Sequence, residues 1–207
     1  TNGAVFDNAG MTDLQTVADA KISTTQSKYG GASMYFDGTG DYLYSVGKPI
    51  YDFYYGDFTI ECWVYLASAS TAQIFVTCVP TGGLGFSSWS FQMTSSGYLQ
   101  FDSFYGGTEQ YITATSNALT ANTWTHIAYC RKSLVSYFFV NGNLCTTTGG
   151  PVSQQVISGG YPLTIGAGRY GGVAQPVTGY IDDMRITNGV ARYTGNFQPP
   201  TSQLQNQ

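Results

Sequence analysis

Apolar residues in this chain come in short runs, some alternating and some compact, and nearly every run ends in Gly, Asn, Asp, Ser or Pro. That spacing is the period of strands and not the 3.6-residue recurrence of an amphipathic helix. Eleven strands are expected: SMYFD, DYLYSV, DFTIECWVYL, AQIFVTCV, WSFQMT, GYLQFDS, EQYITA, TWTHIAYCR, LVSYFFVNG, PLTIGAG and TGYIDDMRIT. In DFTIECWVYL, Phe58, Ile60, Cys62 and Val64 fall on one face while Glu61, Trp63 and Tyr65 fall on the other, so neither face is fully polar. Asn141-Gly142 between two strand-like runs is a two-residue hairpin signal, because both turn positions want positive φ. Only residues 12–20 (TDLQTVADA) and 188–195 (NGVARYTG) have room for helix, each for about two turns. So many strands without helices predict a two-sheet sandwich.

With 207 residues and no internal repeat or linker, one all-β domain spanning 1–207 is expected. A chain that starts at Thr1 is expected to be excised from a longer protein. Charged residues make up only 10% and aromatics 15%, so Ser, Thr, Asn, Gln, Gly and Tyr must supply the surface, which suits neutral, hydroxyl-rich ligands. Net charge is −4 with no basic stripe, which excludes a phosphate-neutralising nucleic-acid face. No apolar run approaches the roughly 20 residues of a membrane-spanning helix, so membrane insertion is not expected. Cys62, Cys78, Cys130 and Cys145 are widely spaced, without a CxxC pair and with one His in the chain, giving a zinc site almost no support. They are expected as buried thiols ahead of disulfides.

Taken together, GGASMYFDGTGDYLYSV, DFTIECWVYL, TWTHIAYCRK, YFFVNGNL, LTIGAG and GYIDDMRITNGVARYTGNFQPP resemble the laminin-G-like jelly-roll domains of the concanavalin A-like lectin/glucanase superfamily. The closing NGVARYTGNFQPP is most similar to versions carried on bacteriophage tail and virion proteins. The resemblance implies a jelly-roll sandwich of two curved antiparallel sheets, with the first and last of the strands above as neighbours. It also implies a calcium site at the rim, for which Asp37 and Asp41 in DGTGD are the candidate pair. The competing expectation is a turn: Asp37 caps it, Gly38 and Gly40 supply its dihedrals, and Asp41 starts the next strand. No other cofactor is expected.

Asp182 and Asp183 are adjacent in a strand and must point oppositely, so one is expected to tie the strand to a neighbouring loop while the other faces water. His126, the lone histidine, lies in a strand with no nucleophile signature beside it, and the resemblance gives it a packing role. The superfamily's glucanases carry clustered acids on one strand, since glycoside hydrolysis needs two carboxyl groups. Glu61 and Glu109 are the only glutamates, and neither has an acidic residue two or four positions away, which argues against that enzyme class.

Trp89, Tyr105, Tyr111 and Tyr170 combine rings with Gly and small polar neighbours, the mixture a sugar site uses. Each has a second reading as core, which the strand-like runs around Trp89 and Tyr111 favour. The expectation is a non-catalytic module for glycan or polysaccharide recognition at a virion surface or outside the cell, as in a tail-fibre adhesin. Two alternatives stand beside it: a structural or decoration domain contacting other virion proteins, and a polysaccharide hydrolase with an unfamiliar site.

Overall fold

The computed structural model describes the backbone of residues 4–6 and all of residues 12–80, 87–169 and 171–205. Sixteen strands run through them: β1 (Ala4–Phe6), β2 (Asp13–Val17), β3 (Lys21–Ser23), β4 (Ser33–Asp37), β5 (Tyr42–Ser45), β6 (Phe58–Leu66), β7 (Gln73–Cys78), β8 (Ser87–Met93), β9 (Leu99–Tyr105), β10 (Thr108–Ala114), β11 (Thr125–Lys132), β12 (Val135–Val140), β13 (Asn143–Leu144), β14 (Thr147–Gly149), β15 (Leu163–Ile165) and β16 (Thr178–Asn188). Helix among the described residues is confined to one 3-10 turn, Pro49–Tyr51. All eleven expected strands form.

The strands make two antiparallel sheets. One has nine strands in the order β1-β2-β5-β15-β7-β8-β9-β10-β14, and the other seven in the order β13-β12-β11-β6-β16-β4-β3. As the family resemblance implies, β4 and β16 are partners, pairing Thr178 with Asp37 through Ile181 with Met34. The Asn141-Gly142 turn joins β12 to β13 with φ of 50° and 74°, and Phe139 pairs with Leu144. A side chain at Gly142 would put its Cβ 1.9 Å from the Phe197 carbonyl oxygen, so this glycine also lets the C-terminal segment dock.

Neither stretch with room for helix is helical. Residues 13–17 pair with β5, Thr16 opposite Leu43, because an extended segment there lengthens the nine-stranded sheet. At 188–195 the backbone is drawn onto β6, with Thr59 Oγ1 donating to the Val190 carbonyl and accepting from the Arg192 amide.

Between the sheets lies one large core. Its centre is aromatic: Phe53 stacks on Phe58 at 4.0 Å and Phe101 on Tyr129 at 4.1 Å. Each fully buried ring of this size contributes about 1.5–3 kcal/mol. Arg131 is also fully buried. Its guanidinium lies 4.9 Å over the Phe58 ring and donates to the carbonyls of Tyr54, Gly56 and Gln154, so the charge is spread over backbone dipoles while two loops are tied to β11. The four cysteines are buried free thiols. Burial raises Cys62 and Cys78 well above the usual thiol range and Cys130 to about 11.

Candidate functional site

The two sheets treat their outer faces differently. On the seven-stranded sheet, Thr59, Glu61 and Trp63 point away from the core, yet all three are buried. The chain itself covers them: Tyr193 and Phe197 stack at 3.6 Å and pack with Phe139 into a second apolar cluster over β11 and β12. Glu61 is the hub beneath this cover. Arg185 Nε and Nη2 donate to its Oε1 at 2.9 and 2.6 Å, the Tyr193 hydroxyl donates to Oε2 at 2.9 Å, and His126 Nε2 stands 3.3 Å from Oε2. Burial alone would raise the Glu61 carboxyl, but His126 and Arg185 outweigh it and hold it below the usual glutamate range.

The outer face of the nine-stranded sheet is covered over its middle strands and open toward its two ends. Strand register sets a row across it: Gln15, Tyr44, Thr164, Thr77, Ser90, Asp102 and Tyr111 are successive partners on neighbouring strands and share one side. Thr164, Thr77 and Ser90 in the middle of the row are buried, so its open parts are the two ends, Gln15 and Tyr44 on one side and Asp102 and Tyr111 on the other. At one end the loop after β15 folds back, Gly168 and Ala174 exchanging hydrogen bonds, and lays Arg169 over the rings of Tyr42 and Tyr44 at 5.3 and 5.2 Å. A shallow pocket of about 180 Å³ lies there, lined by Tyr42, Arg169, Gly172 and Val173.

At the other end is a fixed polar grid. Gln92 Nε2 donates to Asp102 Oδ2 at 2.6 Å and Gln100 Nε2 to Asp102 Oδ1 at 2.8 Å. The amides are oriented in turn: Thr113 Oγ1 donates to Gln100 Oε1 at 3.0 Å and Ser90 Oγ to Gln92 Oε1 at 3.4 Å. Burial raises Asp102 to about 7, with Gln100 working against the rise and Glu109 adding to it. Beside the grid, Tyr111 is 54% exposed.

Of the three aromatic candidates among the described residues, only Tyr111 stands on this face. Trp89 is 1% exposed and lies between Phe53 and Phe101, with its Nε1 donating to the Tyr51 carbonyl, so its ring is part of the core and out of a ligand's reach. Tyr105 ends β9 on the same side as buried Phe101 and Ser103, hence opposite to Asp102 and Tyr111. Tyr170 lies outside the described residues. The residues missed from sequence are Gln92, Gln100 and Asp102, and their signal was present: in WSFQMT and LQFD the polar residues alternate with the core residues.

In DGTGD, Asp41 is fully buried and spends both oxygens on backbone amides, Oδ1 accepting from Asp19 and Oδ2 from Asp37. Asp37 Oδ1 accepts from the Thr39 amide, and Gly38 and Gly40 both have φ of 87°. These bonds make the turn. Asp37 and Asp41 are two carboxylates against the six to eight oxygens that calcium takes, and no group of three His, Cys, Asp or Glu side chains that could hold a metal occurs among the described residues. Asp182 and Asp183 depart from the expectation that one faces water. The register shifts in a bulge between Asp182 and Arg185, with Asp183 at φ 53°, so both carboxylates reach backbone amides: Asp182 those of Lys28 and Tyr29, Asp183 that of Leu204.

A family profile described as concanavalin A-like lectin/glucanases superfamily matches residues 37–192. The chain belongs to that superfamily. No curated protein sequence matches it. Solved structures share the fold at low identity. Domain 4 of an extracellular GH43 arabinanase from Geobacillus stearothermophilus, in complex with arabinotriose, superposes with a TM-score of 0.61 at 14% identity, covering 84% of this chain and 78% of that one. The CBM40 of a Ruminococcus gnavus sialidase bound to α2,3-sialyllactose gives 0.55 at 16%, covering 72% and 94%. A pentraxin from Limulus polyphemus gives 0.50 at 16%, covering 73% of each chain. The two glutamates lie on different sheets: Glu61 is buried in the seven-stranded sheet, while Glu109 stands on β10 of the other.

Proposed function

We propose that this domain is a non-catalytic carbohydrate-binding module that lays a glycan over the β8–β10 end of the outer face of the nine-stranded sheet. The observation that carries this reading is the exposed Tyr111 ring beside the fixed Asp102, Gln92 and Gln100 grid. A flat ring stacks on the apolar face of a sugar while oriented amides and a carboxylate take its hydroxyls. Two neighbours in fold support it, the CBM40 with sialyllactose and the arabinanase domain with arabinotriose. The setting we propose is extracellular, at a virion surface in a receptor-binding role, supported by the likeness of NGVARYTGNFQPP to phage tail versions. Binding without metal is part of this reading, since Asp37 and Asp41 hold backbone amides of their own turn.

The test is a glycan array followed by calorimetry on the best ligand, with and without a chelator. Tyr111→Ala is expected to weaken binding about fivefold or more, the worth of one stacked ring. The chelator is expected to change nothing. Absence of any glycan ligand overturns the reading in favour of a structural virion domain.

A further inference from the structure

We propose that Asp102 is the specificity carboxylate of this face: it accepts hydroxyls of a neutral sugar or the ammonium of an amino sugar, and it turns away acidic sugars. The inference rests on the glycan-binding reading above. Gln92 and Gln100 clamp Asp102 from two strands, and Ser90 and Thr113 fix the two amide planes, so the carboxylate has one orientation. Each amide keeps a second N–H, and each carboxylate oxygen keeps acceptor capacity, for a ligand.

What Asp102 lacks is a cation. From β8 it meets Ser90 and Gln92, along β9 Gln100, and from β10 Tyr111, Thr113 and Glu109, whose charge repels it. Arg169, which also lies on this face, is engaged with Tyr42 and Tyr44, four strands and about 19 Å away, beyond the screening length of physiological salt. A half-buried carboxylate without a counter-charge is stabilised by any ligand donor that reaches it, and a ligand carboxylate placed there meets two negative groups in place of one.

Protons compete with the ligand. Burial places Asp102 at about 7 in the free protein, so donors of a bound sugar favour the ionised form and draw the carboxyl downward. Affinity therefore rises with pH through about 7 and falls about tenfold per unit below it.

An array of neutral, aminated and carboxylated oligosaccharides probed near pH 8 identifies a ligand, which is then titrated calorimetrically at about pH 5.5 and 8.5. The expected results are signal on neutral or aminated sugars, none on carboxylated ones, and about thirtyfold weaker affinity at the lower pH. Asp102→Asn is expected to cost at least about tenfold at the higher pH and to flatten the profile. Glu109→Gln, which removes the repelling neighbour, is expected to move the midpoint to lower pH. Should the Asn variant fail to fold, this shift and a carbon-13 titration of the Asp102 carboxyl in the free protein decide the matter. Preference for carboxylated sugars, or an affinity flat in pH that Tyr111→Ala still abolishes, overturns the role of Asp102 and leaves the glycan reading standing. Failure to bind any class at either pH overturns both.

Discussion

Glu61 and Asp102 occupy matching places on the two sheets, each an outward-facing carboxylate on an interior strand, and the fold treats them in opposite ways. Glu61 is roofed by the chain's own C-terminal segment and surrounded by Arg185, Tyr193 and His126, which hold its carboxyl below the usual range. Asp102 has only neutral amides for support and Glu109 for company, and burial raises it to about 7. Removal from water alone therefore does not fix the state of a carboxylate. The groups that replace the lost water decide it, and here they make one face a structural seam and leave the other with unspent capacity.

The sharpest way to break this comparison is Glu61→Ala, which strands the Arg185 guanidinium, the Tyr193 hydroxyl and His126. It is expected to cost about 3–5 kcal/mol in denaturant unfolding and to make the segment after Gly189 sensitive to protease. A loss under about 1 kcal/mol would show that the seam does not hold the fold.

The next effect is smaller and depends on pH. A carboxyl whose folded pKa lies above its unfolded value of about 3.9 favours the folded chain while protonated, so stability falls as pH rises from about 4 toward 7. Between about pH 4 and 8, wild type is expected to lose about 2 kcal/mol relative to Asp102→Asn, less than the full shift because water still reaches the group. Glu61 works the other way: its contribution is present above the ordinary glutamate range and is lost as pH falls through its lowered folded value. Acid melting of wild type against Glu61→Gln should thus show the gap between the two closing as pH drops.

The smallest effect sharpens the contrast from the ligand side. Tyr111→Ala removes an exposed ring and is expected to change stability by less than about 0.5 kcal/mol, measured by thermal melting, although it weakens glycan binding. A large stability loss would move Tyr111 from the open face into the packing.

Much of this fold was legible along the chain. All eleven expected strands form, the Asn141-Gly142 hairpin turns where positive φ was demanded, and the four thiols are buried. Alternation is a local property of the backbone, so β8 and β9 declared in sequence which side faces the core. The segment 13–17 was less clear, because a short amphipathic stretch satisfies either period and only its pairing with β5 resolves it.

The sites were less legible for the same reason that the strands were clear. Sequence placed Tyr105 and Tyr111 six positions apart in one aromatic neighbourhood, but the tight Gly106-Gly107 turn and the pleat put them on opposite sides of the sheet. DFTIECWVYL announced that neither of its faces is fully polar, without saying what covers the outer one. Tertiary structure alone brought Tyr193 and Phe197 from more than 130 positions away to roof Glu61, and it left Asp102 without such a roof. Periodicity along a strand fixes direction relative to the sheet, whereas charge compensation depends on which distant segments arrive on each face, and that is settled by long-range packing.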